Sequence, residues 1–307
     1  MWILILPWVE CLLGVVLLIS LLKRWWIFSV LLAIIVVLLN FYGKLFSAGS
    51  IGLFLSEGSV KTVKVMTWNI NGMVYESKRV EGIAKVIKDE DPDFVLLSEI
   101  FAAISNTLHK RLEKDYPYTS YRKVGMHHCA YSKYPLDSIA FIDTGMDDMV
   151  KPMHFSMELA GKRVIVYGCH LASNNYSDKR EDLHVDSIES KHDVKQYLSN
   201  IKAASWERVK QMEAILEDLA LSKSDACIVM GDVNDVSGSA PLRKLEAEGF
   251  TDAWWKGGFG YGATIHSPLP YRIDHIMFDV SLKLISIKKV RANGLSDHDA
   301  LVGTFSF

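Results

Sequence analysis

The chain has 307 residues, half of them hydrophobic, and its 34 Lys and Arg against 36 Asp and Glu leave a formal charge of −2. That length holds one large domain or two ordinary ones, and the charge balance excludes a polybasic nucleic-acid binder read from bulk charge. Four cysteines with no CxxC pair argue against a structural zinc site.

Residues 1–22 are almost wholly apolar, interrupted by Pro7 and Glu10. Lys23, Arg24, Trp25 and Trp26 follow, and a second apolar run covers residues 27–42 with Asn40 near its end. Counted with the two tryptophans, that run is long enough to cross a hydrocarbon core. Basic residues beside aromatic ones suit a membrane interface. The pattern predicts two transmembrane helices joined by a tight turn, with residues 1–46 as a bilayer anchor. A buried hairpin of a soluble protein would want a polar face, which these runs lack. A cleaved signal peptide would want basic residues ahead of its apolar run, and there are none. Lys23 and Arg24 place the turn in the cytoplasm and both ends outside it, while Lys44 pulls the other way. On this reading the chain is a multi-pass protein of the cell (inner) membrane with its main domain extracytoplasmic.

Residues 47–60 contain Gly and Ser and read as a linker; residues 61–307 read as the main domain. Lys23, Arg24 and Lys44 against Glu10 and Glu57 give the first 60 residues a charge of +1, which leaves −3 for that domain. Strands are predicted over 63–70, 94–97, 127–134, 155–159, 163–169, 226–230, 272–278, 284–290 and 300–305. Helices are predicted over 77–90, 104–114 and 187–221, the last with a break near Asn200. Residues 174–186 and 250–270 read as loops. Strands that occur both as consecutive pairs and separated by helices suggest two packed sheets with helices outside. Cys169 and Cys227 fall inside apolar runs and read as small buried hydrophobes. Trp254, Trp255, Phe259 and Tyr261 form either an aromatic lip toward substrate or membrane, or packing under a long loop.

Polar residues recur where these strands stop. Asn69 and Asn71 follow the first strand, Glu99 the second, His170 the strand over 163–169, Asp232 and Asn234 the strand over 226–230, and Asp274 opens another. Ser296, Asp297 and His298 precede the last strand. One such end is a common turn; six on an α/β scaffold converge on one side of a sheet. Asp232 and Asn234 share a face if their strand continues. Glu99, Asp297 and the Asn69 amide are hard oxygen donors, which favour magnesium, manganese or calcium over zinc. Asp232 can position or deprotonate water, Asn234 can hold phosphate, and His298 can donate to a phosphoryl oxygen while Asp274 orients its other nitrogen. His170 supplies a further donor.

In this order the motifs Thr67-Trp-Asn69-Ile-Asn71-Gly72, Leu97-Ser-Glu99, Gly168-Cys-His170-Leu, Gly231-Asp232-Val-Asn234, Arg272-Ile-Asp274-His and Ser296-Asp297-His298 resemble the endonuclease/exonuclease/phosphatase family, from residue 63 to the C-terminus. The resemblance implies a four-layer α/β sandwich and a magnesium-dependent phosphohydrolase, with manganese or calcium as alternative metals. It makes Asn69, Glu99 and Asp297 the metal ligands, and His170, Asp232, Asn234, Asp274 and His298 the catalytic residues. Asn71 and Arg272 become substrate contacts. Asn71 stands where the apurinic endonucleases of the family carry an acidic residue, which argues against that branch. The substrate implied is a phosphodiester of phospholipid or nucleic-acid type, or a phosphomonoester. The lipid bilayer is the expected partner through the N-terminal helices. A catalytically silent binding domain and a surface nuclease are the competing readings.

Overall fold

In the computed structural model, residues 2–49, 61–72, 76–120, 127–146, 150–159, 161–174, 191–266 and 269–307 are described. Two helices come first, α1 (Trp2–Leu22) and α2 (Trp26–Gly43). Both are long and apolar enough to cross a membrane, with mean hydropathies of 2.4 over residues 4–22 and 2.3 over residues 26–43. Their turn is closed by a 2.7 Å hydrogen bond between the hydroxyls of Ser20 and Ser29.

The next elements are β1 (Ser47–Ala48), β2 (Thr62–Asn69), α3 (Ser77–Glu90), β3 (Phe94–Ser98), α4 (Ala102–Leu112), β4 (Tyr118–Thr119), β5 (His128–Ser132), β6 (Leu136–Phe141), β7 (Met153–Leu159) and β8 (Lys162–His170). The chain continues through α5 (Lys191–Leu221), β9 (Ala226–Asp232), α6 (Ala240–Ala247), β10 (Thr251–Asp252), α7 (Ala253–Gly257), β11 (Phe259–Gly260), β12 (Asp274–Phe278), β13 (Lys283–Val290) and β14 (Ala300–Ser306). One six-stranded sheet has the order β13-β14-β2-β3-β5-β4; the other has β10-β12-β9-β8-β7-β6.

Alternation along the central strands makes four layers. In β2 and β3, Val63, Val65, Phe94 and Leu96 face the second sheet, where they meet Val164, Val166, Ile228 and Met230. The residues between them, Met66, Trp68, Val95 and Leu97, pack outward on α3 and α4 through Ile83, Ile87, Ile104 and Leu108. In β8 and β9, Ile165, Tyr167, Cys227 and Val229 pack outward on α5 and α6 through Met212, Ile215, Leu242 and Leu245. Strands buried on both faces read as continuous apolar runs, which is why they stand out in the sequence. Cys129, Cys169 and Cys227 are buried and unbridged, as expected of small hydrophobes; Cys11 is exposed.

Several expectations need correction. α5 runs unbroken through Asn200, whose amide oxygen accepts from Gln196 Nε2 one turn earlier at 3.2 Å, so its side chain is satisfied within the helix. At the start of the stretch read as a linker, Ser47 and Ala48 pair with Gly260 and Phe259. The stretch predicted as loop over 250–270 contains β10, α7 and β11, and Asp252 caps α7 by accepting from the Trp254 and Trp255 amides. Strand β6 lies at a sheet edge, half exposed, so its sequence carries little apolar signal. The predicted loop over 174–186 falls outside the described residues beyond Asn174.

Candidate active site

Three adjacent strands of the second sheet carry His170, Asp232 and Asp274 in one row. His170 at the end of β8 is in register with Asp232 at the end of β9, and Asp232 is in register with Asp274 at the start of β12. Alternation then points all three side chains to the same face of the sheet. The first sheet contributes Asn69, paired with Ser98 at the ends of β2 and β3, and Glu99 one residue further on. The two sheets are packed with these ends together: the Asn69 amide donates to Glu99 Oε1 at 2.9 Å and to Asp232 Oδ2 at 3.0 Å.

Unusual backbone builds the site. Asn71, Glu99 and Asn234 all have positive φ, at 44°, 54° and 55°. Such conformations are costly for residues with a Cβ and persist where the surroundings over-determine them. At Asn71 and Asn234 the compensation is visible. The Asn71 amide donates to Asn69 Oδ1 at 3.0 Å, and the Asn234 amide donates to Asp232 Oδ1 at 2.8 Å. The strand therefore stops at Asp232, and Asn234 does not share its face by strand alternation. Its side-chain amide donates instead to Leu171 O at 2.9 Å. Two glycines are required. A methyl at Gly72 would lie 1.9 Å from the Glu99 carbonyl oxygen, and one at Gly231, where φ is +136°, would lie 2.0 Å from the Cys169 carbonyl oxygen.

His298, in the segment that leads into β14 of the first sheet, closes the site. Trp68 Nε1 donates to its carbonyl at 2.8 Å, and Ser296 Oγ donates to Asn69 O at 2.7 Å while accepting from the His298 amide at 3.1 Å. Arg79 ties the same loop to the end of β2, donating to Leu295 O and Asn71 O at 2.6 and 2.8 Å. His298 Nδ1 lies 2.8 Å from Asp274 Oδ2, and its Nε2 lies 3.9 Å from Asp232 Oδ2. Asp274 is held in turn by Thr264, whose hydroxyl accepts from the Ile273 and Asp274 amides.

Burial opposes charge on His298, but Asp274 at hydrogen-bond distance, with Asp232 and Asp297 nearby, raises its pKa to about 10. The imidazole is therefore protonated at neutral pH. Burial raises the Asp232 pKa, as does the Asp274 charge, while His298, His170 and the Asn69 amide pull it down. A carboxylate held in this way is more basic than a solvated one.

Ligand atoms of Glu99, His170 and Asp232 lie within 4.8 Å of one another, and so do those of Asp232, Asp274 and His298. With His298 taken up by Asp274, the first group is the one that fits a divalent cation. Two carboxylates with an imidazole and no thiolate suit a hard ion. Asp297 belongs to neither group; it is exposed, with Oδ1 3.3 Å from Ser296 Oγ. Arg272, expected to contact substrate, is 1 % exposed and committed elsewhere. Its guanidinium donates to Asp252 Oδ2 at 2.7 Å, to Ser237 Oγ and to Lys44 O. Burial disfavours the Asp252 charge, yet Arg272 and His275 hold its carboxyl far below the usual range. Asn71 stays at the rim, half-buried.

Two histidines escaped the sequence reading. His128 is buried, and neither ring nitrogen has a partner among the described residues; its ring meets that of His170 edge-on at 6.1 Å. Burial, then the neighbouring His170 and His127, push its pKa well down. His127 is shifted down by the same burial and by His170. The only signal was a His-His pair at a strand start, which core residues share.

The chain matches the model of the Endonuclease/Exonuclease/phosphatase family over residues 66–298. No curated protein matches it. Among solved structures it is similar to a humanized TDP2 of D. rerio, with a TM-score of 0.62 and 18% identity over 80% of this chain and 99% of that one. D. rerio TDP2 complexed with a single-strand DNA product gives 0.59 and 17%, covering 80% and 99%. A family protein from Leptotrichia buccalis gives 0.57 and 16%, covering 80% and 100%. At these identities the likeness speaks for the fold, and the match over 66–298 for the family. The chain belongs to the Endonuclease/Exonuclease/phosphatase family, whose members are metal-dependent hydrolases of phosphoric esters.

Proposed function

We propose that this chain hydrolyses a phosphodiester at a membrane surface, with a phospholipid headgroup as the substrate class. The observation that carries the chemistry is the meeting of Glu99, Asn69, His170, Asp232, Asp274 and His298 at the joined ends of two sheets. Glu99, with Asp232 and His170 beside it, would hold a divalent cation, magnesium fitting best and manganese or calcium also compatible. Such an ion supplies positive charge to bind the phosphate and to offset the charge that builds on it. Asp232, at the end of β9 beside Glu99 and His170, takes a proton from the attacking water. The Asn69 amide fixes the Asp232 carboxylate in place. His298, protonated and oriented by Asp274, donates to a non-bridging oxygen where negative charge develops. His170, in the same row, would help Glu99 hold the cation, whose charge would offset that on the leaving oxygen until solvent protonates it.

The membrane part of the reading rests on α1 and α2 and on their contacts with the segment leading to Asp274. Trp8 meets Tyr271 edge-on at 6.5 Å, Phe41 meets Trp255 at 5.7 Å and Phe46 meets Tyr261 at 5.6 Å. These aromatics pack against the anchor, while Phe259 stays 82% exposed. A surface nuclease is the second reading, favoured by the DNA product bound to D. rerio TDP2. The charge of −3 on the main domain counts against it.

The test is a substrate panel with the full chain in bilayer discs, covering sphingomyelin, glycerophospholipids, inositol phosphates, DNA and RNA, first with magnesium and then with chelator. Lipid turnover lost on chelation supports the reading. Turnover of DNA or RNA alone selects the nuclease, and no turnover of any substrate selects a silent binding domain.

A further inference from the structure

A crevice of about 360 Å³ lies where the N-terminal hairpin meets the main domain. Leu4, Leu6 and Tyr42 of the hairpin line one side, and Ser239 and Arg243 of the α6 segment line the other. Ser239 precedes α6 in the N-cap position with φ −70° and ψ 164°, yet its side chain caps nothing. Its residue is only 4% exposed, and its hydroxyl has no partner among the described residues. A buried hydroxyl without a partner is costly and points to a group that completes it. It sits at the end of a helix whose first turn offers the Ala240 and Leu242 N–H groups, Pro241 having none and the Arg243 N–H bonding Ser239 O.

The charge of the crevice agrees. Asp235 also lines it, but the buried Arg208 neutralises that carboxylate through Nε at 3.0 Å. Arg243 remains as the excess cation. Its Nε donates to Gly238 O at 2.6 Å, its Nη2 to Tyr42 O at 2.9 Å, and its guanidinium stacks 4.4 Å over the Tyr42 ring. These contacts fix the guanidinium and leave Nη1 for a ligand. A volume of 360 Å³ admits a glycerophosphate-sized group and not its acyl chains. Apolar surface for acyl chains is present on the hairpin: Leu38, one turn before Tyr42 on α2, is 63% exposed, and Ile5 and Val9 elsewhere on α1 are 46% and 37% exposed.

We propose that this crevice is a second lipid site, distinct from the active site, that holds the phosphate of an anionic phospholipid against Ser239, the α6 N-terminus and Arg243, with the acyl chains along the hairpin. The inference rests on α1 and α2 lying in a bilayer; it does not depend on what the active site hydrolyses.

The experiment is native mass spectrometry of the full chain released from detergent, after loading with phosphatidylglycerol, phosphatidylcholine or water-soluble glycerol 3-phosphate. Phosphatidylglycerol should be retained over phosphatidylcholine. Retention should fall about fivefold in Ser239→Ala, which removes a hydroxyl that bonds nothing and so leaves the fold intact. It should fall about tenfold in Arg243→Gln. His298→Ala should retain lipid like the parent, which separates this site from the active site. Equal retention of both lipids, or unchanged retention in both Ser239→Ala and Arg243→Gln, overturns the proposal. Glycerol 3-phosphate binding as well as phosphatidylglycerol overturns the lipid assignment in favour of a soluble phosphate ligand. Loss of retention in His298→Ala with none in Ser239→Ala places the lipid in the active site and also overturns it.

Discussion

His298 Nδ1 and Asp274 Oδ2 lie 2.8 Å apart, with the two residues 5% and 1% exposed; His298 precedes β14 of one sheet and Asp274 opens β12 of the other. One buried ion pair thus locks the two halves of the site together and fixes which imidazole nitrogen faces the substrate. We expect His298→Ala to lower kcat by about two to four orders of magnitude with a smaller change in KM. Asp274→Asn should share most of that loss, and the double variant should be little worse than His298→Ala, because the pair acts as a unit. Losses that multiply independently would show that Asp274 only terminates its strand.

The same pair makes stability depend on pH. The His298 pKa is raised from 6.5 to about 10 in the folded chain. A raised pKa on a base stabilises the fold fully below its unfolded value, and the contribution fades as pH rises through the folded value. In chelator, Tm of the parent should therefore fall between about pH 7 and 10.5 by more than that of His298→Ala. Parallel Tm curves for the two proteins across that range would contradict the assignment.

Arg272 distinguishes a substrate contact from a structural brace. Its ion pair with Asp252 is 1% and 2% exposed, so truncation leaves an uncompensated buried charge. We expect Arg272→Ala to cost about 3–5 kcal/mol of stability by denaturant unfolding. A variant that folds as stably as the parent but binds substrate poorly would return Arg272 to the substrate site.

Much of the site was legible because strand ends are legible. His170, Asp232 and Asp274 each adjoin an apolar run, and three neighbouring strands in register place them in one row. Asn69 and Glu99 were visible for the same reason. The positive φ of Glu99 and Asn234, and the close approaches at Gly72 and Gly231, were not, since no periodicity reports them. The buried pairing of Arg272 was not legible, because its partner Asp252 lies 20 residues away. His128 carried no signal of its own, as its place beside His170 depends on how the two sheets pack. The pairing of β1 with β11 joins segments over 200 residues apart, beyond any window-based reading.

The most direct test of the metal-assisted mechanism is turnover of a phosphodiester substrate by the parent and by Glu99→Ala, across a magnesium titration begun in chelator, with folding of both followed by circular dichroism. Glu99 is half-buried at a strand end and its side chain meets Asn69 and His170, so its loss should leave the fold in place. The parent should be silent in chelator and gain activity with magnesium, while folded Glu99→Ala should stay at least about a thousandfold slower at any magnesium concentration. Full turnover by Glu99→Ala, or by the parent in chelator, would contradict the mechanism.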